Sequence, residues 1–418
     1  MEAAEIPIAQ HSEEKESAQD RLPEPVSRPT PVLMAPDPDF IRELTQLTGG
    51  AFKKCFQCGT CSAICPLSPD EEPFPRKEMA WALWGWKDRL LQDTDLWLCH
   101  HCNDCSELCP RGGRPGDVLS AVRSICIREH SAPRFMGRLL SEPRFLPLLI
   151  LLPVLLLGGL ILLREPLEGL FGLGLEAGRQ IVYPFSSFLP HWLLNGFFAL
   201  FGVLVLLVSC IGVIRFWKTL TLGSEYGRRN QKAAPLARSV GKAFRKALFH
   251  TEFASCESQF SRALPHVFVL FGFLALSVVT AWVITGTSNP LVREDFIYPF
   301  EFWSPWKLLG NLGGLALLVG CVLMALNRYR EHIRFGAATY VDWFFLGILF
   351  FTVLSGFASE ILHYLRMVPH RHYVYFVHLV SVCCLLFYLP YSKFAHFLYR
   401  LTAMVFAERF ERGGSSWK

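Results

Sequence analysis

The chain has 418 residues, 51% of them hydrophobic, with a positive mean hydropathy and a formal charge of only +5. These values exclude a single soluble domain, because the apolar residues crowd into long runs after about residue 145. A secretory signal is not expected either: residues 1–38 are acidic, carry Pro and Gln, and contain no apolar core.

Residues 1–35, with Glu13, Glu14, Lys15 and Glu16 followed by Pro23 and Pro25, read as a disordered tail. A helix is predicted from Pro38 to Leu47, capped by Asp37 or Asp39. It leads into Cys55-Phe-Gln-Cys58-Gly-Thr-Cys61-Ser-Ala-Ile-Cys65-Pro66. Cys99-His-His-Cys102-Asn-Asp-Cys105-Ser-Glu-Leu-Cys109-Pro110 repeats that spacing, starting 34 residues beyond Cys65. Each is the C-x2-C-x2-C-x3-C-P run that binds a cubane iron–sulfur cluster. Three thiolates two residues apart wrap one corner of a cube, while the fourth, held back by proline, swings to the other cluster. By that logic Cys55, Cys58, Cys61 and Cys109 hold one 4Fe–4S cluster, and Cys99, Cys102, Cys105 and Cys65 hold the second. Zinc needs one four-ligand set per site, and these runs are too dense for that. Disulfides do not need one spacing written twice.

Between the runs, Met79, Leu83, Trp86 and Leu90 recur at helical spacing, so Lys77–Leu91 is predicted as a helix. A further helix follows Pro115 through Val118, Leu119, Val122 and Ile125. Residues 36–130 therefore read as an α-helical ferredoxin-like domain ending near His130. Its clusters point to assembly in the cytoplasm rather than export. Cys126, Cys210, Cys256, Cys321, Cys383 and Cys384 have no ligand spacing, and those in apolar runs read as small apolar residues.

Residues 145–400 break into six apolar runs, each near the ~20 residues a helix needs to cross a bilayer. They are placed at Phe145–Leu163, Phe188–Ile214, Leu264–Thr285, Trp306–Leu326, Trp343–Leu362 and Tyr373–Leu389. The fold class is thus all-α, a two-cluster ferredoxin domain followed by a six-span bundle. The loop over residues 215–262 is basic, with Arg215, Lys218, Arg228, Arg229, Lys232, Arg238, Lys242, Arg245, Lys246 and Arg262. Arg328, Arg330 and Arg334 follow the fourth span, whereas Glu294, Asp295 and Glu301 oppose Arg293 and Lys307 after the third. The positive loops orient the chain with the ferredoxin domain, both termini and the 401–418 tail in the cytoplasm, and the protein in the cytoplasmic membrane. The basic segment Leu236–His250 lies between two spans, so it is expected on anionic headgroups rather than on nucleic acid.

Clusters on one membrane face need a redox partner within the bilayer, and haem b held by two axial histidines serves that purpose. Histidine inside a span is costly and is a functional candidate by default. His266, one turn into the third span, and His396, just past the sixth, come to one depth on antiparallel helices. His378 precedes His396 by 18 residues, five whole turns of an uninterrupted helix, which puts both on one face about 27 Å apart. That spacing suits two stacked haems. For His378 the partner is left open between His363, at the outer end of the fifth span, and His191, at the outer end of the second. Both also suit interfacial anchors, and a single haem remains an alternative. Glu360 and His363, three apart on one helix face, form a candidate proton-accepting pair for quinol oxidation.

The stretch from His378 to His396, with its Pro390-Tyr-Ser392-Lys393 turn, resembles the last span of the gamma subunit of respiratory nitrate reductase. His266-Val-Phe-Val-Leu-Phe-Gly-Phe resembles that family's second span, except that Leu276 stands where a further histidine is found there. The cysteine half resembles the C subunit of heterodisulfide reductase, and the membrane half the E subunit of that enzyme. A family that fuses the two in this order is the C subunit of the quinone-interacting membrane-bound oxidoreductase of sulfate reducers. That resemblance implies menaquinone as substrate and flavin and iron–sulfur partner subunits of the heterodisulfide reductase A type, with adenylylsulfate reductase as electron acceptor. The sequence lacks a CCG pair for heterodisulfide chemistry and a G-x-G-x-x-G after a strand, so this subunit is expected to relay electrons without binding a dinucleotide. The rivals are a membrane subunit of a heterodisulfide- or sulfite-linked complex, and a structural anchor carrying clusters alone.

Overall fold

A computed structural model describes residues 35–68, 73–171, 188–223, 233–249, 260–289, 291, 296, 298, 300–335, 340–368 and 370–411. Nearly all of the predicted 1–35 tail, Arg228, Arg229, Lys232, Cys256, Arg293, Glu294, Asp295 and the end of the 401–418 tail lie outside them. Pro36–Lys418 forms one compact unit. Among the described residues every regular element is helical.

The cysteine region is built of short helices. Helix α1 (Pro38–Thr48) starts where Asp37 Oδ1 accepts the backbone N–H groups of Asp39 and Phe40, both at 3.0 Å. It ends at Gly49 in the left-handed conformation, and buries Phe40, Leu44 and Thr48 on one face. After α2 (Thr60–Ile64), the predicted Lys77–Leu91 helix is two, α3 (Arg76–Leu83) and α4 (Lys87–Leu91). Gly85, at φ +68°, breaks it, and its carbonyl accepts the N–H of Asp37 at 3.0 Å. One-turn helices α5 (Asp95–Leu98) and α6 (Asp104–Glu107) precede α7 (Pro115–His130). Helix α7 opens on proline at its first position and buries Val118, Leu119, Val122 and Ile125.

Helix α8 (Arg134–Ser141) connects to the long helices. These are α9 (Leu146–Leu162), α10 (Arg164–Phe171), α11 (His191–Gly223), α12 (Leu236–Phe249), α13 (Phe260–Ser288), α14 (Pro305–Phe335), α15 (Tyr340–Tyr364), α16 (His370–Phe387) and α17 (Ala395–Phe406). Among the described residues, five stretches are long and apolar enough to cross a membrane: Pro143–Leu162, His191–Gly223, Ala263–Ser288, Pro305–Arg330 and Tyr340–Tyr364. The sixth predicted span falls on α16, which has 18 residues and opens on His370, Arg371 and His372, and it is not among the five. Helices α13 and α14 meet closely: a Cβ on Gly272 would lie 2.6 Å from the Gly313 carbonyl oxygen.

The 33 residues of α11 extend about 50 Å at 1.5 Å per residue, well beyond a hydrocarbon core of ~30 Å. Its last turns pack into the cysteine region. Phe216 and Leu220 are fully buried there with Trp97 from α5 and Ala403, Tyr399 and Phe406 from α17. The Trp97 ring lies 5.5 Å from Phe216 and stacks on Tyr399 at 5.5 Å. His130 closes the joint: its Nδ1 donates to the Cys126 carbonyl at 2.8 Å, and its Nε2 bonds Thr219 of α11 at 2.9 Å.

One helical expectation is corrected. His378 and His396 do not share a helix, because α16 ends at Phe387, a 3-10 turn spans Leu389–Tyr391, and α17 begins at Ala395. Pro390 has no N–H to continue α16 and its ring clashes with the preceding turn. Tyr388 and Tyr391 tie this break down by donating to the carbonyls of Leu149 at 2.6 Å and Ala132 at 2.7 Å.

Candidate functional site

The two cysteine runs fold alike. In each, the second residue after the first cysteine has positive φ (Gln57 at 64°, His101 at 58°), and so does the residue after the second cysteine (Gly59 at 85°, Asn103 at 69°). Left-handed residues at these positions curl the backbone around a small volume and turn N–H groups towards sulfur. His101 N–H donates to Cys99 Sγ at 3.3 Å, and Gly113 N–H to Cys109 Sγ at 3.2 Å.

Cys55, Cys58, Cys61 and Cys109 line one small cavity, with Gln57, Arg76 and Arg111 around it. Cys65, Cys99, Cys102 and Cys105 line the other. Each cavity therefore takes three cysteines from one run and the last cysteine of the other. Burial pushes the Cys65 thiol up to about 12 and raises Cys61 and Cys105 as well, whereas the Thr60 hydroxyl lowers Cys58. Cys58 is exposed and the other seven sulfurs are buried or half-buried, and shielded sulfurs this close together become thiolates most readily beside a compensating cation. A converging donor set with N–H groups aimed at sulfur thus fits an iron–sulfur cluster in each cavity.

Four of the five candidate histidines fall into two cavities at opposite ends of the long helices. His266 of α13 and His396 of α17 line a cavity of about 300 Å³, together with Pro265, Met324, Phe345 and Leu346. His396 Nδ1 donates to the Lys393 carbonyl at 2.5 Å, which leaves Nε2 as the nitrogen that could serve as a ligand. His378 and His363 line a second cavity of about 450 Å³, which also holds Glu360, Leu276, Tyr298 and Tyr375. His378 Nδ1 donates to the Thr352 carbonyl at 3.0 Å, so it too presents Nε2. A Cβ on Gly356 would come within 3.2 Å of the His378 ring, leaving α15 open to it. Walls that mix apolar side chains with charged ones (Arg123, Arg328, Lys393 and Arg400 in the first, Lys307 and Glu360 in the second), together with a bound Nδ1–H on His396 and on His378, fit haem at both places. His191 is not a wall of either cavity; its ring faces Tyr298 edge-on at 6.2 Å.

Glu360 Oε1 accepts from Lys307 Nζ at 3.1 Å and from Asn311 Nδ2 at 3.2 Å, and His363 follows one turn later on α15. Glu78, Asp93 and Asp95 gather their carboxylates elsewhere, but Lys77 Nζ sits among them, 2.8 Å from Asp95. That group is an internal ion network rather than a site.

Sequence reasoning missed His100 and His101. They occupy the variable positions of a cysteine run, yet they line both the Cys65/Cys99/Cys102/Cys105 pocket and the His266/His396 cavity. Arg123, Arg328, Lys393 and Arg400 were missed as walls of the same cavity. The only local sign of them is Lys393 beside His396.

Residues 51–112 match the model of the 4Fe-4S dicluster domain, and residues 139–415 match that of citrate utilization protein B. The cysteine region is 32% identical over 101 residues to the iron-sulfur C subunit of the CoB–CoM heterodisulfide reductase of Methanopyrus kandleri, covering 22% of this chain and 53% of that one. It is 40% identical over 78 residues to a protein of Archaeoglobus profundus that is like the C subunit of heterodisulfide reductase, covering 18% and 42%. The chain thus spans about half the length of these curated relatives. Citrate utilization protein B of Escherichia coli is 27% identical over 332 residues, covering 74% of this chain and 80% of that one. No solved structure matches. With a dicluster iron–sulfur region at its start and a family match running over most of the remainder, the chain belongs to the citrate utilization protein B family.

Proposed function

We propose that the chain is the membrane electron-transfer subunit of a quinone-linked oxidoreductase, working between menaquinol and a soluble partner through haem b and two 4Fe–4S clusters. One observation carries this reading: His100 and His101 wall both a four-cysteine pocket and the His266/His396 cavity. Carriers in those two places are separated by single side chains. When bound, the clusters and haem supply one-electron redox steps. Cys55, Cys58, Cys61 and Cys109 would hold one cluster, Cys65, Cys99, Cys102 and Cys105 the other, and His266 with His396 the haem.

At the far end, oxidation of a quinol releases two electrons and two protons. Glu360 and His363 are the proton acceptors in this reading, at the carboxylate and the imidazole. Lys307 and Asn311 hold Glu360 in place. If a second haem occupied that cavity, His378 and His363 would hold it and Glu360 would be left as the proton acceptor; His191 is not among the walls. In this reading α16 is the sixth span, and Arg215, Lys218, Arg238, Lys242, Arg245 and Lys246 hold the cysteine region on the cytoplasmic side. The partners are flavin and iron–sulfur subunits of the heterodisulfide reductase A type, with adenylylsulfate reductase beyond them in a sulfate-reducing pathway.

The long match to the Escherichia coli protein favours a second reading of the partner. There the soluble partner belongs to the utilization of a carboxylic acid such as citrate, and electrons run from it to the quinone. The test is the dithionite-reduced spectrum of the purified chain with a haem count, followed by quinol oxidation in Glu360→Gln and His363→Ala. Absence of a b-type α-band removes the haem. Unchanged quinol oxidation in both variants removes the far-end site.

A further inference from the structure

The two four-cysteine pockets differ in how they meet solvent. Of the residues lining the Cys65/Cys99/Cys102/Cys105 pocket, only Pro66 is exposed, and His100 and His101 close it on the side of the His266/His396 cavity. The Cys55/Cys58/Cys61/Cys109 pocket has four exposed walls: Phe56, Cys58, Arg76 and Arg111. Phe56 is 59% exposed although it is a large aromatic residue, and Leu108, which precedes Cys109, is 56% exposed. The Arg111 guanidinium lies 5.7 Å from the centre of the Phe56 ring. Arg76 opens α3, where its backbone N–H donates to Ser62 Oγ at 3.3 Å, and a Cβ on Gly59 would sit 3.9 Å from its guanidinium. Among the described residues of the segments 55–61 and 107–113, Glu107 is the one exposed carboxylate.

Electron transfer falls off steeply with distance, so a soluble partner has to seat itself where a cluster lies closest to water. Only the pocket walled by Phe56 and Arg111 offers that approach. Exposed aromatic and aliphatic side chains flanked by arginine are the composition found at the centres of protein interfaces, where they bury area and the guanidinium fork pairs with carboxylates. A second copy of this chain is a poor fit, because a self-complementary contact would set Arg76 and Arg111 against the same basic rim. Lipid is a poor fit too, since the route towards the long helices leaves from the other pocket through His100 and His101.

We propose that Phe56 and Leu108, flanked by Arg76 and Arg111, form the docking face for a soluble redox subunit whose matching face is apolar at its centre and rimmed by carboxylates. This rests on the electron-transfer reading given above. In each encounter one electron crosses between the cluster site of Cys55, Cys58, Cys61 and Cys109 and the partner's own carrier, one side being oxidised as the other is reduced. No bond forms or breaks, and no proton moves. Arg76 and Arg111 steer and orient the partner; Phe56 and Leu108 exclude water from the contact.

The probe is oxidised flavodoxin, a soluble acidic protein with one flavin. Its binding to the full chain in phosphatidylcholine nanodiscs is followed by surface plasmon resonance at low salt, with iron content and cluster EPR of each chain. Arg76→Glu and Arg111→Glu are each expected to weaken binding about tenfold, since like charges then meet across the contact. Arg238→Glu, in the basic segment after α11, is expected to stay within about twofold of wild type. A fall in either arginine variant with both clusters intact and Arg238→Glu unmoved supports the docking face. Unmoved binding in every arginine chain that keeps its clusters overturns it, as does an equal fall in Arg238→Glu or no binding to the wild-type chain. If both arginine chains lose a cluster, Phe56→Ala and Leu108→Ala decide: weaker binding in either supports the face, and wild-type binding in both overturns it. Loss of a dimer in Arg111→Glu with flavodoxin binding unmoved gives the face to a second copy and overturns the proposal. The haem reading is judged apart, by the b-type spectrum. A chain without haem whose binding follows the arginines loses that reading and keeps the docking face, and a haem-bearing chain with unmoved binding does the reverse.

Discussion

Phe216→Ala tests whether the projecting end of α11 holds the cysteine region in place. The Phe216 side chain is 0% exposed, and its ring sits 5.5 Å from Trp97, 5.1 Å from Tyr399 and 5.5 Å from His130. Emptying such a site costs about 3–5 kcal/mol in lost burial and residual cavity. Each aromatic pair contributes about 0.5–1.5 kcal/mol beyond its buried area, so the upper half of that range is the appropriate figure. Because these partners lie on α5, α7 and α17, the loss falls on the joint between the long helices and the cysteine region. At about 1.4 kcal/mol per factor of ten, 4 kcal/mol makes opening of that joint on the order of a thousandfold more frequent. Hydrogen exchange with mass spectrometry reads this directly in peptides from Asp95–Leu98 and Pro115–His130. Phe216→Leu, which keeps most of the volume, is expected to cost under about 1.5 kcal/mol. Exchange within about threefold of wild type in Phe216→Ala, in a chain that accumulates normally, would refute the account.

The crossed cysteine sets predict a non-additive pattern of cluster loss. Cys109→Ala is expected to remove about half of the bound iron, and Cys58→Ala added to it to remove little more, whereas Cys102→Ala added to it empties both sites; iron content and EPR of the three chains check this. His130 is buried and its pKa is lowered by desolvation, below an unfolded value of about 6.5. The unfolded chain therefore binds more protons as the pH falls through that value, so stability declines below about pH 6.5. His130→Gln should flatten that limb in urea unfolding followed between pH 5 and 8, and an unaltered limb would assign it to another group. Gly85→Ala puts a Cβ 2.6 Å from Ile41 Cδ1 at a φ of +68°, and is expected to cost about 1–3 kcal/mol. A urea midpoint equal to wild type would show that α1 and the α3–α4 bend yield more easily than their packing implies.

The parts of the fold that local spacing controls were legible in the sequence. The paired cysteine runs, the Asp37 cap, the helix after Pro115 and the five long apolar helices each depend on residues a few positions apart. Two breaks were hidden by periodicities that run straight through them. Met79, Leu83, Trp86 and Leu90 keep helical spacing across Gly85, and the 18-residue interval from His378 to His396 suits one helix although Pro390 interrupts it. In both, the breaker was visible, but its effect depends on what the chain packs against after turning. The walls of the His266/His396 cavity were not legible. Arg400 reaches the Cys99 carbonyl across 301 positions of sequence, and no local pattern records such a contact. His100 and His101 show the same limit within a motif, since the cysteine spacing leaves the intervening residues unspecified.

Helix α11 ties both ends of the molecule to one angular phase. His191 begins it beside Tyr298, and Phe216 and Leu220 end it inside the cysteine core, with no break between them. Inserting one residue midway would rotate everything beyond by about 100° and advance it about 1.5 Å. With the far end anchored, Phe216 would swing out of the aromatic joint. Length variation across this stretch is therefore expected in the connections flanking α11, while its own count of residues acts as a fixed gauge of how far the cysteine region stands from the bilayer.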